Sequence, residues 1–213
     1  MQVIIQCAKA KQAEAKTLMS KAGIRADFVA RPNAVAAAAG HHFCRPDDWI
    51  PQETGTWRQA LLSQQLGDST LLPAWQLYKH GIYSKLVSHF GEKNIYVLSA
   101  GWGLVRSDFK LPTYDITFSK QAQAYKKRRG SDHYLDFKQL PNDRSQIVFF
   151  GVQDYLPLLS KLLSNSSPLT VVTRNKGIAL PNAKWNQVAY KTTALTNWHY
   201  SAASALLKGE LLT

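Results

Sequence analysis

Acidic side chains are scarce in this sequence: 14 Asp and Glu stand against 26 Lys and Arg, giving a formal net charge of +12 and a pI near 9.7. So basic a surface points to a polyanionic partner, nucleic acid before others. Cysteine is scarcer still. Cys7 and Cys44 are far apart and form no CxxC pair, which excludes a disulfide scaffold and a closed zinc site and fits the reduced cytoplasm. Long apolar runs are missing, so no membrane span is expected. The run from Met1 to Lys9 is too short for a signal core and passes directly into charge. Low-complexity tracts are missing too, so the basic charge belongs to the folded surface and not to a detachable tail. His41, His42 and His80, with Asp47 and Asp48 nearby, show no metal-ligand spacing. Neither metal nor cofactor is expected, and no obligate protein partner.

What is present reads as one α/β domain over residues 1–213. Short β-rich apolar runs at 3–5, 95–98, 147–150 and 169–172 suit buried parallel strands. Helical stretches are expected over 12–22, 74–90, 120–129, 155–163 and 201–207. Alternating strands and helices imply a mostly parallel or mixed central sheet flanked by helices. Residues 24–73 fit that alternation poorly and read as an insertion or lid. The tract 106–117, with Pro112 and no period, reads as a loop at a strand end, where α/β sites sit. Residues 174–200 are similarly irregular.

The strongest local feature is the run Ser99-Ala-Gly-Trp-Gly-Leu104, in which Gly101 and Gly103 flank Trp102. Glycine permits close backbone approach to a ligand, free N–H groups bind anions, and an indole can stack on a base. The competing reading is a tight turn with Trp102 in the core. Downstream, Asp108 and the pair Tyr114-Asp115 place two carboxylates on one tract. They could orient a water or stabilise a cation, or merely cap turns. Lys9 and Lys11 follow the first strand and could reach phosphate, or form a solvated turn. Cys7 beside them reads first as a packed thiol. Lys126, Lys127, Arg128 and Arg129 form four successive cations on an expected helix end, suited to sequence-independent phosphate contact. Asn197, Trp198, His199 and Tyr200 precede the last helix. Each can stack on or hydrogen-bond a nucleobase, although Asn197 could equally be a helix cap over two core aromatics. Asp154, after the third strand, reads as a ligand-loop residue or a helix cap.

Together these stretches resemble a known family. Pro73-Ala-Trp-Gln-Leu-Tyr78-Lys-His-Gly-Ile-Tyr83, Leu98-Ser-Ala-Gly-Trp-Gly-Leu104 and Leu111-Pro-Thr-Tyr-Asp115 look like YaaA-like proteins, and Met1 to Lys11 and Asn197 to Tyr200 are similar to segments of the wider group. The resemblance implies DNA binding by a fold distantly reminiscent of the uracil-DNA glycosylase arrangement. The group includes a phage-defence glycosylase that removes glucosylated hydroxymethylcytosine from viral DNA.

On this footing the expected activity is a monofunctional DNA glycosylase in antiphage defence, which flips a modified base from duplex DNA and cleaves its N-glycosidic bond with water. Asp115, Asp108 and His199 are the expected catalytic residues. Trp102 or Trp198 would stack on the base, with Asn197, Ser99, Gly101, Gly103, Tyr114, Cys7 and Tyr78 completing the pocket. Lys9, Lys11, Lys126, Lys127, Arg128 and Arg129 would hold the phosphates. A Schiff-base route through Lys9 ranks second. The alternatives are a non-catalytic DNA-binding stress protein and, more weakly, an enzyme of free nucleotides.

Overall fold

The computed structural model describes residues 1–66, 69–142, 145–163 and 168–211. The strands are β1 (Gln2–Gln6), β2 (Ala26–Phe28), β3 (His42–Cys44), β4 (Leu72–Pro73), β5 (Ile95–Ser99), β6 (Gly103–Arg106), β7 (Lys110–Leu111), β8 (Phe137–Lys138), β9 (Ile147–Phe150), β10 (Leu169–Arg174) and β11 (Asn186–Tyr190). The α-helices are α1 (Trp57–Ser63), α2 (Ala74–Leu77), α3 (Ile82–Phe90), α4 (Leu156–Leu162) and α5 (Trp198–Leu207).

Seven strands form one mixed sheet in the order β11-β10-β9-β1-β5-β6-β8. The four apolar runs of the sequence are β1, β5, β9 and β10, adjacent and parallel at the centre. All residues of β1, β5 and β9 are buried, as near-continuous apolar strands covered on both faces should be. β6 turns back antiparallel to β5. The chain leaves β1 for β5 on one side and later returns as β9 on the other, so strand order reverses across β1. Loops diverge at such a switch point and leave a crevice at the carboxyl ends of the strands. Helices α3 and α5 pack on each other, α3 also on β5, and α5 also on β9 and β10. Among the described residues no helix is long and apolar enough to cross a membrane.

Three sequence expectations are corrected. Residues 12–22 are not helical: Gln12 N–H donates to the Leu77 carbonyl (2.9 Å) and the Lys16 carbonyl accepts from Thr113 N–H (2.8 Å), so tertiary partners take the groups a helix would use. The stretch 74–90 is two helices, α2 and α3, with an extended Tyr78 between them. Over 120–129 only the 3-10 turn Ala124–Lys126 forms, after which the chain pairs with Thr117 through Thr117 N–H to the Lys126 carbonyl and Arg128 N–H to the Thr117 carbonyl, both 2.9 Å.

Segment 24–73, of which 67 and 68 lie outside the described residues, supplies Phe28, Cys44, Trp57 and Leu61 to the one hydrophobic core. Trp57 is 0% exposed and meets Phe28 edge-on at 6.0 Å. The segment is therefore built into the domain as β2, β3 and α1, not laid over it as a separable lid.

Candidate functional site

A cavity of about 650 Å³ opens at the carboxyl ends of β1 and β9. The loop leaving β1 brings Cys7, Lys9 and Lys11 to its wall, and the strap over 115–126 brings Asp115, Thr117 and Lys126. The 3-10 turn Gln153–Tyr155 adds Asp154 and Tyr155, and the start of α5 adds Asn197, Trp198, His199 and Tyr200. Elements distant in sequence meet here because each leaves the sheet near its switch point.

A layer of hydroxyls lies under and beside the cavity. Gln6 ends β1 with its carbonyl accepting from Tyr83 OH (2.7 Å) and its side-chain oxygen accepting from Val152 N–H (2.7 Å), which ties β1 to the loop after β9. Tyr114 OH sits 2.8 Å from Tyr78 OH and accepts from Ser99 Oγ at 2.9 Å. Tyr155 OH is 3.3 Å from Cys7 Sγ. Burial pushes the phenols of Tyr78, Tyr83, Tyr114 and Tyr155 well above their ordinary range, with the Cys7 thiol adding to each rise. These groups stay protonated at every physiological pH; of the four, Tyr155 lines the main cavity and Tyr114 a neighbouring cleft.

The charges lie above this layer. Asp115 is fixed by its N–H to the Phe28 carbonyl (2.8 Å) and by an ion pair with Lys126 at 2.5 Å. That hydrogen bond to Asp115 raises the Lys126 pKa. Asp154, half-buried, makes no hydrogen bond or ion pair with any described residue and caps neither its 3-10 turn nor α4. The sequence leaves Asp154 open between capping and ligand binding, and the capping reading is the one the geometry does not bear out. Lys11 is half-buried with Nζ 4.2 Å from the centroid of the Tyr114 ring. Lys9 is exposed.

His199 is 2% exposed, and neither ring nitrogen has a partner among the described residues. Burial first, and His80 second, push its pKa down to about 4, so the imidazole is neutral and offers one donor and one acceptor. Trp198 meets it edge-on at 6.0 Å. Asn197 occupies the cap position of α5 with φ +56°, but its side chain makes no cap bond and is exposed at the cavity mouth. The left-handed backbone that turns the chain here is one asparagine tolerates.

Several expected site residues lie elsewhere. Trp102 is 0% exposed, edge-on to Phe28 at 5.1 Å and stacked with Phe137 at 6.3 Å, so it is core and not a stacking platform. The N–H groups of Gly101 and Trp102 donate to Ser99 Oγ at 3.2 and 3.1 Å, which removes the anion-binding role expected of that turn. Gly103 has φ +89°, and a Cβ there would stand 2.6 Å from Phe137 backbone atoms. Its glycine is required by the passage of β8 and not by a ligand. A Cβ at Gly101 would meet Ile116 and Tyr114 at 3.2 and 3.3 Å, again a packing constraint. Ser99 and Tyr78, both buried, act through Tyr114 and are not among the residues lining the main cavity.

Asp108 is also removed from the site. Because β5 and β6 form a hairpin, the chain has returned to the amino end of β5, where Ser107 N–H bonds the Ile95 carbonyl (2.8 Å). Asp115 is instead near Ser99 at the other end, so the two carboxylates are separated by roughly 13 Å of strand. Asp108 pairs with Arg106 at 2.6 Å. The four-cation run is split where the 3-10 turn that ends at Lys126 gives way to extended backbone at Lys127. Lys126 reaches Asp115, Arg128 turns inward to Asp136 (2.7 Å) and the Ala100 carbonyl (2.8 Å), and Arg129 faces solvent. Lys127 caps the Lys120 carbonyl at 2.7 Å. Arg128, 5% exposed, is structural and not a phosphate ligand. Comparison with models of known protein families, with curated proteins and with solved structures finds no match to this chain.

Proposed function

We propose that this chain is a DNA glycosylase that receives a flipped, modified base and releases it by hydrolysis of its N-glycosidic bond. The observation that carries the reading is the cavity at the switch point. It has lysines on one wall, a neutral histidine and an indole on another, and two carboxylates, Asp115 and Asp154. Its volume of about 650 Å³ falls in the range that encloses ligands of drug size, more than a bare pyrimidine needs. That favours a base carrying a bulky substituent, for which a glucosylated hydroxymethylcytosine of phage DNA is the candidate the family resemblance supplies.

In this reading Lys9 neutralises a phosphate beside the flipped nucleotide, Lys126 stays on Asp115, and Trp198, Asn197 and His199 hold the base. The neutral imidazole can give and take one hydrogen bond without carrying charge into the pocket. Bond cleavage leaves a cationic sugar. Asp154, whose charge no described cation meets, stabilises it, while Asp115, held in place by Lys126, orients the attacking water. Two carboxylates in different surroundings divide the two tasks. Purified protein incubated with phage DNA containing glucosylated hydroxymethylcytosine should release the modified base and leave abasic sites, both measured by mass spectrometry. Binding without release from any modified genome would leave a DNA-binding protein without this chemistry.

A further inference from the structure

Three lysines reach the cavity, and among the described residues only one of them is both sheltered and without an ion pair. Lys9 is exposed and Lys126 is paired with Asp115. Lys11 sits in the wall that the main cavity shares with a neighbouring cleft of about 390 Å³. Its Nζ lies over the Tyr114 ring and has one other polar contact, the Lys9 carbonyl at 3.5 Å, the far limit of a hydrogen bond. No carboxylate of the described residues comes within ion-pairing distance of it. An ammonium so placed loses hydration that a ring face only partly restores. Burial accordingly draws the Lys11 pKa down, against the upward pull of Cys7 and Asp115. A sheltered amine without an ion pair, facing a cavity, has the properties of an imine-forming nucleophile.

We propose that Lys11 forms an imine with an aldehyde-bearing ligand of this cavity, the ring-opened sugar of an abasic site in DNA. Nζ as the free amine adds to the aldehyde carbon C1′, and the former aldehyde oxygen leaves as water after taking up protons, giving a protonated imine. Water then removes a proton from C2′, and the bond from C3′ to its phosphate oxygen breaks with the electron pair leaving on the phosphate. Hydrolysis of the conjugated imine frees Lys11 and the unsaturated aldehyde. The strand is cut without an external oxidant or reductant. This activity shares with the proposed glycosylase only the entry of DNA into the cavity, since base release by water and strand cleavage by Lys11 are separate steps.

The test uses the full chain and a duplex whose single abasic site is made beforehand by excising a uracil, with sodium cyanoborohydride present to reduce any imine. The expected result is a covalent protein–DNA adduct that peptide mapping locates at Lys11. It should be lost in Lys11→Met, retained in Lys93→Met at the amino end of β5, and absent with a tetrahydrofuran site, which has no aldehyde. No adduct, or an adduct spread over Lys9, Lys126 and Lys127, overturns the assignment. Mapping is done on the unsubstituted chain, so a variant that fails to fold does not decide the matter. An adduct at Lys11 together with no base release from modified DNA would remove the glycosylase reading and leave this one standing.

Discussion

The chain uses its cations in two regions with opposite surroundings. Behind the turn after β5, Arg58 and Arg128 are buried, each held by a carboxylate, with Asp47 at 2.5 Å and Asp136 at 2.7 Å. Their remaining donors cap the carbonyls of Ala100, Gly101 and Trp102. Around the cavity, Lys9 and Lys11 have no carboxylate partner among the described residues. Guanidinium presents a fixed fork of donors and suits the first role, whereas ammonium is a point charge on a flexible stem and suits the second. The difference teaches that a charge excess in a sequence does not convert directly into binding surface. The arginines hold a turn together, and the lysines are left for a ligand.

The largest effect should come from the arginine side. Arg128→Met leaves Asp136, whose side chain is 1% exposed, with the longer Lys161 pair at 3.8 Å in place of its two short guanidinium bonds, and strips the Ala100 carbonyl of its donor. Breaking a buried pair in this way costs about 3–5 kcal/mol, which lowers Tm by roughly 6–20 °C in a domain of this size. Lys126→Met removes a half-exposed pair and should cost at most about 1 kcal/mol. Equal losses in calorimetry would erase the distinction between the two regions.

Next in size is the carboxylate contrast. Asp115→Asn should cut base release by roughly 10²–10³-fold, as loss of one preorganised electrostatic group does, without lowering duplex affinity, since Lys126 is freed of its carboxylate. Asp108→Asn, at the opposite end of β5, should leave release unchanged. Single-turnover assays on modified DNA separate the two. Activity lost through Asp108 and kept without Asp115 would move the chemistry away from the cavity.

His199 gives the comparison a third kind of buried group, one whose ring nitrogens have no hydrogen-bond partner among the described residues. Its pKa is about 4 in the folded chain against an ordinary 6.5. The unfolded chain therefore takes up the proton first as pH falls. The stability this represents is complete above pH 6.5 and is lost progressively between 6.5 and about 4. The whole loss is about 3 kcal/mol. Urea midpoints measured across that window should fall more steeply for the natural chain than for His199→Gln. Parallel slopes would mean that the imidazole is not sheltered.

Sequence patterning located the strands that matter because β1, β5, β9 and β10 are buried on both faces, and burial writes itself as continuous apolar residues. β11 escaped because it is an edge strand whose five residues are at least partly exposed. The start of α5 and the loop after β1 were legible as clusters of residues able to meet a ligand, and the fold brings Cys7, Lys9, Lys11 and Asn197 to Tyr200 to one cavity. Trp102 and Asp108 misled because side-chain type carries no information on which way a hairpin runs. That direction is set by the β5–β6 pairing, a contact between whole strands. Arg128 misled for a related reason. Four cations in a row look alike until the change from a 3-10 turn to extended backbone sends Lys126 to the rim and Arg128 to the core.

The smallest effect probes the rim itself. Each lysine that neutralises a phosphate contributes about 0.9 to the slope of log affinity against log salt for duplex DNA. Lys9 is exposed and has no ion-pair partner among the described residues, so Lys9→Ala should remove about that much. Lys126 is neutralised by Asp115 before any DNA arrives, so Lys126→Ala should remove less. The comparison turns on that pair. If both variants lose the same slope, Lys126 leaves Asp115 for a phosphate when DNA binds, and the carboxylate becomes an uncompensated charge only in the complex. Asp115 would then stabilise the cationic sugar directly, alongside Asp154, and DNA binding would itself switch on the charge that the reaction requires.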